Sequence, residues 1–115
     1  MGYSLGQKQE EFTITMAEFI VWAYSQGYKI RSGDTFRDPR VFGAIGEKRG
    51  YGHSRSAHKL KLAKDLNLFK DGKFLSSTED HAELGKKWES MHELARWGGR
   101  FNDGNHYSFE HNGVM

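Results

Sequence analysis

The chain contains no cysteine, only one proline, and no apolar run that approaches the length of a membrane-spanning helix. Without cysteine there are no disulfides and no thiolate ligands, so any metal ion would rest on imidazole and carboxylate. The missing thiols leave the compartment open, because a cysteine-free protein survives in either redox environment. A membrane helix needs about 18 or more consecutive apolar residues. The opening MGYSLGQKQEEF also lacks the apolar stretch of a secretory signal. Synthesis in a cytoplasm is therefore expected, with any export depending on another component. Nor is there a strong excess of one charge: a formal net charge of +2 permits attraction to nucleic acid or cell wall but demands neither.

What is present suits one globular domain, residues 1–115. A chain of this size buries roughly two-thirds of the surface that it exposes when unfolded. Hydrophobic residues make up 37% and charged residues 28%, and eight Phe, five Tyr and three Trp supply an aromatic core.

Thr15 and Glu18 form a capping-box pattern, flanked by Ile14 and Phe19 as a hydrophobic staple. They predict a helix of about three turns with Met16, Phe19, Ile20 and Ala23 on its buried face and Gly27 as its stop. Tyr28 to Arg31 alternate as a short strand. Across residues 36–56 the pattern dissolves around Pro39, Gly43, Gly46, Gly50 and Gly52, which predicts a long loop of the functional or mobile kind. Asp71-Gly72 between two alternating runs is a hairpin signal. It puts Leu66 and Leu68 on one strand face and Asp65, Asn67 and Phe69 on the other. A second helix is expected from the capping residues Ser76 to Asp80, with Leu84, Trp88, Met91 and either Leu94 or Ala95 buried and Gly98-Gly99 as its end. The polar stretch of residues 100–111 is expected at most along a sheet edge.

Of the six histidines, His81 and His92 lie among charged residues on that second helix and are expected to be solvated. His53 and His111 flank more interesting segments. His58 and His106 stand out for their neighbours: Asp65 follows His58 by seven residues, and Asp103 precedes His106 by three. A catalytic zinc commonly takes three His or carboxylate ligands and leaves one position for water. A carboxylate that is not a ligand then serves as the base. His58 and Asp65 share one ion only if the chain bends between them. On a straight helix they lie about 10 Å apart, and on one flat strand they face opposite ways. A bend is therefore expected near Lys59 to Leu62.

The run SAHKLKLAKDLNLF, Ser56 to Phe69, resembles the first metal motif of the peptidoglycan-cleaving zinc peptidases. That family contains D-Ala-D-Ala carboxypeptidases and phage L-alanyl-D-glutamate endolysins. WGGRFNDGNHYSFEH, Trp97 to His111, resembles the second motif, in which an acidic residue precedes the last metal histidine by three. DGKFL, LGKKWES and GYKIRSGDTFRDP are also similar to phage and prophage members, so the likeness spans roughly residues 12–113. Lys61 departs from the family, where many members carry glycine.

The resemblance implies that His58, Asp65 and His106 hold Zn2+ and that Asp103 is the catalytic base. Arg37 would meet substrate or the developing oxyanion, a task suited to a guanidinium. Ser56 would be a substrate contact. The implied fold is α+β of the Hedgehog and DD-peptidase kind, a small antiparallel sheet with helices packed on one side and the zinc on the other. The implied activity is hydrolysis of an amide bond in the peptidoglycan stem peptide, with endolysin-type cleavage after L-Ala favoured. The enzyme is expected to be a monomer without a nucleic-acid partner, released from the host cytoplasm to the wall by a holin. Three rivals stand beside it. One is a D-Ala-D-Ala carboxypeptidase with the same site. Another is a metal-dependent nuclease using Arg49, Arg55, Lys59, Lys61 and Lys64. The third is a wall-binding module stacking on Trp88 and Trp97.

Overall fold

A computed structural model describes residues 2–33 and 57–115, with the backbone alone for His58 and Lys59. Helix α1 (Leu5–Ser25) begins well before the expected cap. The Ser4 hydroxyl accepts from the Gln7 N–H at 3.1 Å, and the Gln7 amide oxygen accepts from the Ser4 N–H at 2.8 Å. Thr15 is therefore a buried mid-helix residue and not a cap. The first turns bury only Phe12, too thin a stripe for periodicity to register. Gly27, at φ +91°, ends the helix as expected.

Strand β1 (Tyr28–Ser32) runs antiparallel to β2 (Ala63–Lys70), with Tyr28 opposite Lys70 and Ser32 opposite Leu66. Asp71 and Gly72 take φ of 52° and 77° and turn the chain into β3 (Lys73–Leu75), which pairs back on β2. This is the predicted hairpin. A 3-10 turn (Glu79–His81) then leads into α2 (Ala82–Met91).

The chain departs from expectation beyond Met91. Ala95 opens strand β4 (Ala95–Trp97) and does not extend the helix. Strand β5 (His106–Phe109) lies between β2 and β4, not along an edge, and all four of its residues are buried. Its polar groups can be buried because they find partners inside. His106 lies beside Asp65, and the Tyr107 hydroxyl meets His81 Nδ1 at 2.8 Å.

The sheet order is β1-β2-β5-β4, with β3 against β2. The edge of β2 away from β1 is thus divided. Ala63 to Asp65 pair with β5, and Leu68 to Lys70 pair with β3. Leu66 and Asn67 sit at the fork between them.

Both helices cover the sheet face that carries Leu66, Leu68, Tyr107 and Phe109. Phe19 packs on Tyr107 with ring centres 5.2 Å apart, and Phe12 on Phe109 at 5.4 Å. Trp88 stands among them, and its indole N–H donates to the carbonyls of Arg96 at 3.0 Å and Ser108 at 3.1 Å. The chain is accordingly α+β, with a small antiparallel sheet and helices on one side.

Candidate metal centre

The bend required between His58 and Asp65 is present. Residues Ala57–Leu60 form a 3-10 helix that ends at Lys61, whose φ of 59° is left-handed. The Leu62 N–H closes the turn on the Ala57 carbonyl at 3.0 Å. A left-handed lysine costs about 1–2 kcal/mol. Fully buried Ala57 and Leu62 on either side anchor the turn in the core and hold it there.

Beyond the turn, β2 carries Asp65 directly opposite His106 of β5. Residues opposite one another in an antiparallel pair share a face. Asp65 Oδ1 and His106 Nδ1 lie 3.5 Å apart, and their side chains retain 16% and 7% exposure. Two donors about 2.0–2.2 Å from one tetrahedral ion stand roughly 3.3–3.6 Å from each other. The pair therefore fits two corners of such a site. Among the described residues no group of three His, Cys, Asp or Glu gathers. The His58 side chain, with Arg37 and Ser56, lies outside the described residues, as does the loop expected over 36–56.

Asp103 is held by the turn that leads into β5. Its N–H donates to the Gly98 carbonyl at 2.9 Å, and its carbonyl accepts from the His106 N–H at 3.1 Å. The approach at Gly98 is so close that a Cβ there would stand 2.2 Å from the Asp103 carbonyl oxygen. Trp97 braces the same turn, its indole N–H donating to the Gly104 carbonyl at 2.7 Å. The Trp97 ring lies over Gly85 of α2, where a Cβ would come within 2.1 Å of it. Glycine in mid-helix is thus explained by the ring that it admits. The Asp103 side chain is exposed and forms part of the wall of a cleft that Asn67 also lines.

Two histidines correct the reading of the sequence. His81 is 2% exposed, and burial holds its imidazole below the ordinary histidine range, opposed by a hydrogen bond to the Leu75 backbone and by Asp80 and Asp103. His92 stacks on Phe109 at 4.4 Å and accepts from the Leu94 N–H at 3.0 Å. Neither is solvated, because each finds an aromatic partner distant in sequence. His111 Nδ1 meets Lys8 Nζ at 2.9 Å, which ties the C-terminal tail to α1. His53 lies outside the described residues.

The residues of the rival readings are placed only in part. Lys64 occupies the face of β2 opposite to Asp65, and with Lys61 it rims a groove of about 500 Å³ against Phe12, Met16 and Ile20. Arg49, Arg55 and the Lys59 side chain are outside the described residues. Trp88 is fully buried and Trp97 is engaged with Gly85 and Gly104, so both indoles are committed to packing. The chain matches no protein-family model and no curated protein.

Proposed function

We propose that the protein is a zinc-dependent peptidase of the bacterial cell wall, cleaving the peptidoglycan stem peptide as an L-alanyl-D-glutamate endopeptidase. The observation that carries this reading is the facing pair Asp65 and His106, set 3.5 Å apart with Asp103 held three residues upstream of the histidine. The left-handed turn at Lys61 supports it too, since it stands where the resembling peptidases often carry glycine. His58 would complete the ligand set, and Ser56 and Arg37 would contact substrate, on the strength of the two sequence motifs.

Bound by these residues, zinc would polarise the scissile carbonyl and make the attacking water more acidic. Asp103 would take the proton from the attacking water and return it to the leaving amine. Arg37 would meet the oxygen on which negative charge develops. Asp65 and His106 are paired directly across β2 and β5, so their backbones would be set before substrate arrives.

The test is mass spectrometry of the soluble products from purified Gram-negative sacculi, with and without a chelator. Chelator-sensitive release of peptides beginning at D-Glu is expected. Loss of terminal D-Ala alone would make the protein a carboxypeptidase, and no product from folded, zinc-loaded protein would remove the peptidoglycan reading. Asp103→Ala should lower turnover by about 10²–10⁴-fold while zinc is retained. Unchanged turnover would exclude Asp103 as the base.

A further inference from the structure

The face of the sheet that carries Asp65 and His106 continues across β1 and β3. Arg31 stands directly opposite Asn67, Lys29 opposite Phe69, and Phe74 on the other side of Phe69. Residues opposite one another share a face, so these side chains start from the face of the facing pair. Arg31 does not stay beside Asn67. It crosses diagonally, and its guanidinium carbon lies 4.2 Å from the centre of the Phe69 ring. Phe74 adjoins the same ring, with centres 5.3 Å apart, and is 51% exposed. Lys29 turns elsewhere, its Nζ 5.2 Å from the centre of the Tyr24 ring on α1.

The ring limits what the guanidinium can do. A cation resting against an aromatic ring is held there by the ring's charge distribution, and the N–H donors at its outer edge remain for a ligand. That edge matches a carboxylate, which accepts two parallel bonds. A guanidinium braced in this way also loses less freedom on binding than one on a mobile arm. Asn67 lies two strand residues from Asp65 and Phe69 lies four, so the group stands about 7–13 Å along the sheet from the facing pair. An extended peptide covers that span in roughly two to four residues. In a stem peptide cut after L-Ala, the free carboxylates lie on the D-Glu side of the cut. The exposed Phe74 ring offers an apolar surface to the aliphatic carbons beside them.

We infer that Arg31, braced by Phe69, binds a carboxylate of the leaving peptide and so sets the specificity of the site. The inference rests on the peptidase reading for the identity of that peptide, but not for the binding itself. Phe69 acts through Arg31 and is a positioning residue.

The probe is γ-D-glutamyl-L-alanine, titrated into the zinc-loaded full chain and followed by NMR. Its twin, with both carboxylates converted to amides, is the control. The acid should bind more tightly than the twin and shift the signals of the Arg31 side chain and the Phe74 ring. Arg31 is exposed, so its replacement leaves the core alone. Arg31→Gln should weaken the acid by about threefold or more and leave the twin unaffected. Arg31→Lys keeps the charge without the paired donors and should restore only part of that loss. Phe69→Leu should weaken the acid and not the twin, a selectivity that a purely structural role would not produce. No preference for the acid in the unaltered protein, or the same preference in Arg31→Gln, would overturn the inference. Because neither compound contains the scissile bond, the result is independent of whether sacculi are cleaved.

Discussion

On β2, Leu66 and Leu68 are fully buried against the helices, whereas their neighbours Asp65 and Asn67 are half-buried on the opposite face of the sheet. On β5 the same alternation sets Tyr107 and Phe109 in the core and His106 beside Asp65. One pair of strands thus carries stability on one face and candidate chemistry on the other. The contrast lies in what fills each face. The helix side is closed by aromatic rings from three elements, and the other side carries polar groups, among them Asp65 and His106. Substitutions on the two faces should therefore fail in different ways.

The largest separation is expected from His106→Ala. Activity should fall to background and zinc stoichiometry should drop, as metal analysis and the sacculus assay would report, with the circular dichroism of the fold retained. Loss of the fold instead would place His106 with the core residues and dissolve the contrast. On the other face, Trp88→Ala removes the ring that touches Phe12, Phe19, Tyr107 and Phe109. It should cost about 3–5 kcal/mol in denaturant unfolding.

Gly85→Ala tests the connection between the faces. In an open helix this change stabilises by up to about 1 kcal/mol. Here the new Cβ would stand 2.1 Å from the Trp97 ring. Overpacking, at about 1–3 kcal/mol, should win. Since Trp97 braces Gly104 beside Asp103, activity should fall along with stability. A more stable variant of full activity would show that the ring is free to move.

The smallest effect concerns pH. Burial holds both His81 and His111 below the ordinary histidine value. The unfolded chain therefore takes up protons near about pH 6.5, before the folded chain does. Stability present at neutral pH should decline as pH falls below that value, lowering the melting temperature by a few degrees. Chelated protein should be used so that metal release does not contribute. His81→Gln should flatten the slope, and an unchanged slope would assign it to other groups.

Much of this arrangement was legible in the residues themselves. Asp71-Gly72 announced its hairpin because few residues accept two successive positive φ angles. The alternation along Leu66 to Phe69 identified both faces of β2, and the bend before β2 followed from asking how His58 and Asp65 could meet. The start of α1 was missed because Ser4 and Gln7 cap it with no apolar stripe behind them. The interior place of β5 is not legible in the sequence because HYSF has the composition of an edge.

What the sequence determined by itself were local choices, set by interactions within a few residues: the turn at Gly72, the stop at Gly27 and the faces of β2. Only the tertiary structure decided that β5 lies inside the sheet, that His81 is buried and that His92 is half-buried against Phe109. Each depends on a partner remote in the chain (Asp65 for His106, Tyr107 for His81, Phe109 for His92), and a polar residue is buried where folding brings such a partner to it.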